Sequence, residues 1–120
     1  MSDNLEQPDG LRELAEVDRI VHEPSRLRIL MLLYSVEKAD FVFLLNATGL
    51  TWGNLSSHVT KLEEAGYVRV EKDFVGKKPH TMVGLTDAGR QAVDSYRRKM
   101  QTALQNLRKP QKPESAAGGS

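Results

Sequence analysis

The amino-acid sequence predicts a mainly α-helical protein with one small β-hairpin. Apolar residues recur at helical spacing over much of residues 10–65. The spacing changes to strict alternation over residues 67–74, as in a half-buried strand. A helical period returns after residue 86. We therefore expect four helices, two antiparallel strands and a long last helix, in that order.

Composition excludes several classes of function. The 120 residues include no cysteine, which rules out disulfide scaffolds, thiolate zinc sites, iron–sulfur clusters and cysteine nucleophiles. No apolar run approaches the roughly 18 residues of a membrane helix. The first residues lack the basic start and apolar stretch of a secretory signal, so we expect a cytoplasmic protein.

The formal net charge of +1 conceals a gradient along the chain. Residues 1–22 carry six acids and two bases, whereas residues 90–112 carry seven bases and one acid. A basic end can attract polyanions, although a solvated helix face explains the basic run equally well.

The chain divides into one domain and two loose ends. We expect residues 1–9 to form a flexible N-terminus and residues 109–120 to form a disordered tail, because both are polar and the tail is rich in Pro, Gly, Ser and Ala. The ordered domain then covers residues 10–108.

Two helices are predicted at the start of this domain. Leu11, Leu14 and Val21 share one face of an amphipathic helix over residues 10–22. Pro24 ends that helix or opens the next, for which Ser25 is a candidate N-cap. Residues 26–35, RLRILMLLYS, are apolar nearly all round, which is typical of a buried central helix.

A helix-turn-helix follows. Asp40 can cap a short helix that Gly49 closes, and Thr51 can cap a second helix that Gly66 closes. A tight turn of three residues joins the two helices. The buried stripe of the second helix is predicted to comprise Leu50, Leu55, Val59 and Leu62.

A hairpin and a long helix complete the domain. Residues 67–74 and 80–85 alternate as strands around a turn over residues 75–79, which gives the hairpin a basic tip. Thr86 caps the last helix, with Asp87 in its first turn. The apolar residues of this helix follow heptad spacing, and we call them the seam: Val93, Tyr96, Met100, Ala103 and Leu107.

The seam needs a partner, and a second copy of the chain is the simplest one. We expect a homodimer built from the terminal helices, with Leu11 and Leu14 of the first helix and the seam of the last. The alternative is a monomer whose last helix folds back on its own domain.

The order of elements is that of a winged helix-turn-helix. The segments EPSRLRILMLL, DFVFLLNATGLTWGNLSSHVTKLEEAGYV, EKDFVGKKPHT and LTDAGR resemble the MarR/ArsR-type winged-helix regulators, over about residues 18–98. The resemblance implies a transcriptional regulator, more specifically a repressor, that binds double-stranded DNA as a dimer. It also implies a recognition helix in the major groove and a wing on the backbone or in the minor groove.

The residues themselves indicate which side chains would contact DNA. Opposite the buried stripe, the second helix of the helix-turn-helix carries small and polar residues, and its N-terminus favours a phosphate. Asn54 can read adenine bidentately, and Lys61 can reach guanine or a phosphate. The predicted contacts are Thr51, Gly53, Asn54, Ser56, Ser57, His58 and Lys61 on this helix, and Lys72, Lys77, Lys78 and His80 on the wing.

Several of these residues have a structural alternative. Trp52 is interpreted as a staple against the domain, and His58 as a semi-buried histidine at least as readily as a DNA contact. Lys61 can instead pair with the nearby acids, and such surface pairs contribute little. Arg26 and Arg28 are either further phosphate contacts or members of internal ion pairs.

Catalysis, a cofactor and a metal are not expected. His22, His58 and His80 lie on separate elements, and no catalytic motif is present. A minor alternative is an interfacial metal site using Asp18, His22 or Glu23. MarR-type regulators often hold an aromatic or phenolic ligand, so the resemblance leaves a small-molecule effector as a further alternative. The competing hypothesis is that the winged helix is a protein-interaction module that does not bind DNA specifically.

Overall fold

The computed structural model describes residues 15–107. We number its elements in chain order. They are α1 (Arg19–His22), α2 (Pro24–Val36), β1 (Lys38–Asp40), α3 (Phe41–Thr48), α4 (Trp52–Glu64), β2 (Val68–Val75), β3 (Lys78–Leu85) and α5 (Asp87–Gln105).

None of the helices within residues 15–107 combines the length and apolarity needed to cross a membrane.

The chain enters the domain through a break that the sequence pattern did not predict. The prediction of a continuous helix over residues 10–22 is wrong at residues 16–18, where the chain forms a turn and a bend. Residues 10–14, which include Leu11 and Leu14, lie outside the described residues. Asp18 adopts an extended conformation, and its carboxylate accepts a hydrogen bond of 2.8 Å from the Ile20 N–H. An N-cap of this kind starts a new helix, so α1 has only four residues.

The start of α2 also differs from the prediction. Glu23, not Ser25, is the N-cap, because its carboxylate accepts from the Arg26 N–H at 2.7 Å. Pro24 occupies the first turn, where a missing N–H costs nothing.

The helix-turn-helix is confirmed as predicted. Asp40 caps α3 through the Phe43 N–H at 2.7 Å, and Thr51 caps α4 through the Asn54 N–H at 3.2 Å. Gly49 ends α3 with a φ of +72°, a conformation that favours glycine.

The core lies between α2, the two helices of the helix-turn-helix and the sheet. The predicted stripe of α4 is confirmed, since Leu55, Val59 and Leu62 are buried and Leu50 packs against them. Helix α2 runs through the centre, as expected. Its fully buried residues are Ile29, Leu30 and Leu33.

The sheet has three strands, not the two predicted. Strand β1 pairs antiparallel with β3, with Ala39 opposite Val83, and the strand order is β1-β3-β2. The three residues Lys38–Asp40 are too few and too polar to show an alternating pattern. The hairpin register is unbroken out to Val75 opposite Lys78, so the turn is shorter than the predicted residues 75–79.

Helix α5 is held against α2 and the start of β2. The Tyr34 hydroxyl donates to the Asp94 carboxylate at 2.7 Å, and the Arg90 guanidinium lies 4.5 Å from the Tyr34 ring centroid. The Thr86 N-cap is confirmed by its 3.0 Å contact with the Gly89 N–H.

The seam is divided between two environments. Val93 and Tyr96 pack against the core of their own domain, as the fold-back alternative anticipated for this half of the helix. Met100 is half-buried, Ala103 is buried, and Leu107 lies beyond the end of α5 with 73% of its surface exposed. Ala103 is already covered within the single chain, so of the seam only Met100 and Leu107 retain surface for contacts between copies.

Candidate nucleic-acid interface

The outer face of α4 is exposed and built from small or polar side chains. With Leu55, Val59 and Leu62 turned into the core, the helix period directs the rest of α4 outwards. The residues exposed there include Gly53, Asn54, Ser56, Ser57, Thr60 and Lys61.

The N-terminus of α4 presents backbone donors. The Asn54 N–H is satisfied by the Thr51 hydroxyl, but the N–H groups of Trp52 and Gly53 precede any intrahelical acceptor. A Cβ added at Gly53 would meet nothing within 4 Å, so the backbone is open to close approach from outside. This end of a 13-residue helix can therefore accept a phosphate.

His58 lies on the side of α4 that faces the start of α2. Its Nδ1 is 3.3 Å from the Arg26 guanidinium and 3.9 Å from the Glu23 carboxylate. Arg26 also donates to the Ile20 carbonyl at 2.9 Å. The geometry favours the semi-buried interpretation of His58 and gives Arg26 an internal role.

Arg28 binds a backbone carbonyl, whereas the sequence left a phosphate contact or an internal ion pair open. Its guanidinium donates to the Thr48 carbonyl at 3.0 Å, at the end of α3 and next to the turn of the helix-turn-helix. The side chain is nevertheless exposed. It supports the turn and still leaves donors facing solvent.

Trp52 contacts the domain but is not covered by it. Its ring lies 4.8 Å from the Phe41 ring at a tilt of 53°, yet 62% of the residue is exposed. The predicted staple is present as a ring contact, and most of the Trp52 side chain remains open to solvent.

Alternation along β2 separates the charges of the wing, the β2–β3 hairpin. Val68 and Val70 face the core, so Lys72 extends on that same side. Lys72 and Thr81 line a cleft of about 220 Å³ together with Ser56 and Thr60 of α4. The residues of β2 that alternate with Val68, Val70 and Lys72 face the opposite side of the sheet. They are Arg69, Glu71 and Asp73.

Lys77 and Lys78 are exposed at the end of the wing. Within residues 15–107, neither they nor Lys72 lie within 4 Å of an acidic side chain. Of the three lysines, Lys72 lies on the side of the wing nearest α4, whereas Lys78, paired with Val75, lies on the opposite face.

His80 braces the outer part of the wing from the opposite side of the sheet. Its Nδ1 lies 2.9 Å from the Asp73 carboxylate, and its Nε2 lies 3.6 Å from that of Asp40. The hydrogen bond to Asp73, followed by the contact with Asp40, raises the pKa of His80. The side chain thus links the wing to the N-cap of α3.

A second cleft, of about 310 Å³, lies between Tyr67 and α5, where Tyr96 and Lys99 also line it. At its edge the Tyr67 hydroxyl donates to the Asp18 carboxylate. This hydrogen bond, then burial and the charge of Asp18, raises the pKa of Tyr67 to about 12.

The three residues considered for a metal are engaged in other contacts. Asp18 and Glu23 cap helices, and the His22 Nδ1 lies 2.9 Å from the Tyr96 hydroxyl. In the described part of the chain, no three His, Asp or Glu side chains are grouped to hold a metal ion.

Sequence comparison matches residues 25–104 to the winged helix DNA-binding domain. An uncharacterized protein of Methanocaldococcus jannaschii is 37% identical over 78 residues, which is 65% of this chain and 85% of that protein.

Solved structures give the same fold. The transcriptional regulator homologue from Pyrococcus horikoshii is 31% identical with a TM-score of 0.74, and the match covers 82% of this chain and 96% of that one. A MarR family regulator from Silicibacter pomeroyi is 20% identical with a TM-score of 0.58, over 92% of this chain and 73% of its own.

Proposed function

Because the chain belongs to the winged helix DNA-binding domain family, we propose that this DNA-binding regulator is a dimeric, sequence-specific transcriptional repressor. One observation carries the proposal. Ser56 and Thr60, on the small, polar face of α4, line one cleft together with Lys72 of the wing and Glu63 of α4.

Helix α4 supplies the sequence readout in this proposal. A major groove of about 12 Å accepts one helix, and small residues at the contact permit deep entry. Gly53, Ser56 and Ser57 provide that space, and Asn54 lies beside them with an amide suited to adenine. Thr51 and the helix N-terminus lie against a phosphate, and Lys61 reaches the groove or its edge.

The wing supplies positioning. Lys72, Lys77 and Lys78 contact phosphates, which fixes the orientation of the protein but reads little sequence. His80 contributes by bracing the wing through Asp73 and Asp40. His58 contributes by packing α4 against α2.

A dimer follows from the small number of base pairs that one recognition helix can contact. One recognition helix spans few base pairs, and specific sites are usually bound by twofold dimers with half-sites about one helical turn apart. We assign the contact between copies to Met100 and Leu107 with the predicted Leu11 and Leu14, because Val93 and Tyr96 pack on their own domain and Ala103 is already buried within the chain. A dimer seated on DNA represses most simply by excluding other proteins from the site.

A small-molecule effector, if the protein uses one, would occupy the cleft beside Tyr67 and Tyr96. The cleft adjoins α5, so an occupant there would contact both the DNA-binding domain and the helix assigned to the dimer.

The test is the salt dependence of binding to labelled duplex DNA, measured by fluorescence anisotropy. We expect a steep fall in affinity with salt, because bound lysines release counterions. Replacing both Lys77 and Lys78 with Ala should reduce the slope by about 2 per protomer.

The matched control is Arg97→Ala with Arg98→Ala. It removes the same charge from exposed positions on α5, a helix that packs on α1 and α2. If both double variants reduced the slope equally, the wing would have no special role. Binding that is undetectable or independent of salt would favour a protein-interaction module.

A further inference from the structure

The tip of the wing is apolar on one side. Phe74 is exposed over 71% of its surface, and its cross-strand neighbour Pro79 is exposed as well. A large apolar side chain left uncovered by its own domain, beside a second apolar residue, is typical of a contact surface.

The hairpin register sets the direction of Phe74. Val68 and Val70 face the core and Lys72 lines the cleft with α4, so Phe74, two residues further along β2, continues on that side. The pairing is regular to the end of the strand, without a bulge that would reverse it. Phe74 therefore lies on the side of the wing turned towards the proposed recognition helix.

The part of the hairpin that carries Phe74 is regularly paired and exposed to solvent. From Val70 to Phe74 the strand advances about 13 Å. Gly76, with a φ of +65°, and Lys77 close the hairpin in a two-residue turn, and Pro79 restricts the returning strand. A contact made by this tip loses little conformational entropy.

The charges around Phe74 select a polyanion as its partner. Lys72 lies two residues before Phe74 on the same side of the strand, and Lys77 lies in the turn beyond it. Asp73 points to the opposite face and is engaged by His80, and Lys78, paired with Val75, points to that face too. An apolar ring set among lysines fits a groove whose floor is made of bases and whose rims are phosphates.

We propose that Phe74, supported by Pro79, inserts into the minor groove of bound DNA as an apolar wedge and partly unstacks one base step. The inference rests on the proposed function and extends it. Phe and Pro side chains act as wedges of this kind, and the flanking lysines hold the phosphates on either side of the opened step.

A specificity follows from the wedge. Pyrimidine–purine steps unstack most easily. We therefore expect the protein to prefer such a step at a fixed distance from the bases that α4 contacts. This preference needs no hydrogen bond between the protein and the bases of the step.

The test begins with selection of duplexes from a random-sequence pool by the wild-type chain and by Phe74→Ala. A selected duplex then carries 2-aminopurine at the preferred step, where unstacking raises its fluorescence. Wild type should raise the fluorescence, and Phe74→Leu should keep part of the effect. Phe74→Ala should lose it, with an affinity about tenfold lower and an unchanged salt slope.

Val75→Ala is the matched control. Val75 is 63% exposed at the same tip but points to the other face, so it should behave as wild type. Thermal unfolding checks that both variants fold.

The outcomes separate the two claims. If Phe74→Ala selects and unstacks like wild type, the wedge is wrong and the proposed function stands. If wild type binds no duplex, both are wrong. If Phe74→Ala instead shifts the free protein to a smaller species in sedimentation, the tip contacts a second copy, and the wedge is again wrong.

Discussion

Two glycines illustrate how differently one residue type can be used in this chain. Gly89 is buried in the first turns of α5, and a Cβ there would overlap the Tyr67 carbonyl and the Leu85 side chain. Gly53, on the outer face of α4, has open space around it. The first glycine permits two elements to touch, and the second leaves room for an external partner.

Gly89→Ala should destabilise the protein by about 1–3 kcal/mol or more, because the overlap is with main-chain atoms that cannot move aside. Gly53→Ala should leave stability unchanged or raise it by up to about 1 kcal/mol, because alanine is the better helix former. Urea unfolding of the two variants checks this. Equal effects would contradict the close packing of α5 on Tyr67 and Leu85.

The histidine of the wing gives a pH dependence with a definite sign. The two carboxylates raise the pKa of His80 in the folded protein above its unfolded value of about 6.5. Its contribution to stability is therefore complete below that value and is lost as pH rises through the folded pKa. We expect wild type to lose stability relative to His80→Gln on moving from about pH 5.5 to pH 8.5.

Urea unfolding at the two pH values measures that difference, and Asp73→Asn tests its source. If the difference in free energy of unfolding between wild type and His80→Gln were the same at both pH values, His80 would not be held by Asp73 and Asp40.

At the scale of elements, three of the N-caps and the buried stripe of α4 were predictable from the sequence, whereas the Glu23 cap and the long-range contacts were not. The N-caps Asp40, Thr51 and Thr86 act over three residues, so local sequence specifies them. The break at Asp18 was missed because a carboxylate that caps a short helix resembles any acid within a longer one. Strand β1 was missed because its pairing with β3 depends on residues more than forty positions away.

The candidate site divides in the same way. The outward face of α4 follows from its period, so its exposed residues were predictable. The tertiary partners of His58 and His80 lie on other elements, and single-sequence patterns do not reveal them. The exposure of Phe74 was missed because an alternating strand predicts its face and not the extent of the domain beneath it.

The recognition helix makes a prediction of its own. Asn54→Ala should weaken binding at the preferred sequence by about 1–3 kcal/mol and leave binding to unrelated duplex unchanged, because a base contact is specific. Competition binding with the two duplexes measures both values. An equal loss at both would make Asn54 a phosphate contact.

For the whole molecule, the formal charge of +1 is less informative than its distribution. Alternation in β2 places Lys72 beside α4 and keeps Glu71 and Asp73 on the far face, so one side of a nearly neutral protein is suited to a polyanion.

The dimer is tested at this scale by sedimentation. Met100→Glu with Leu107→Glu should shift the protein towards the monomer, because buried charges at a helix contact are unfavourable. Gln101→Glu with Gln105→Glu adds the same charge at exposed positions of the same helix and should not. An identical shift in both would remove the seam from the interface.

The central claim is that α4 and the wing together form the surface that binds duplex DNA. Amide chemical shifts of the labelled protein, followed as duplex is added, test it most directly. We expect the largest changes in the first two turns of α4 and at the tip of the wing, around Lys77. Changes confined to α5, with α4 and the wing unaffected, would contradict it.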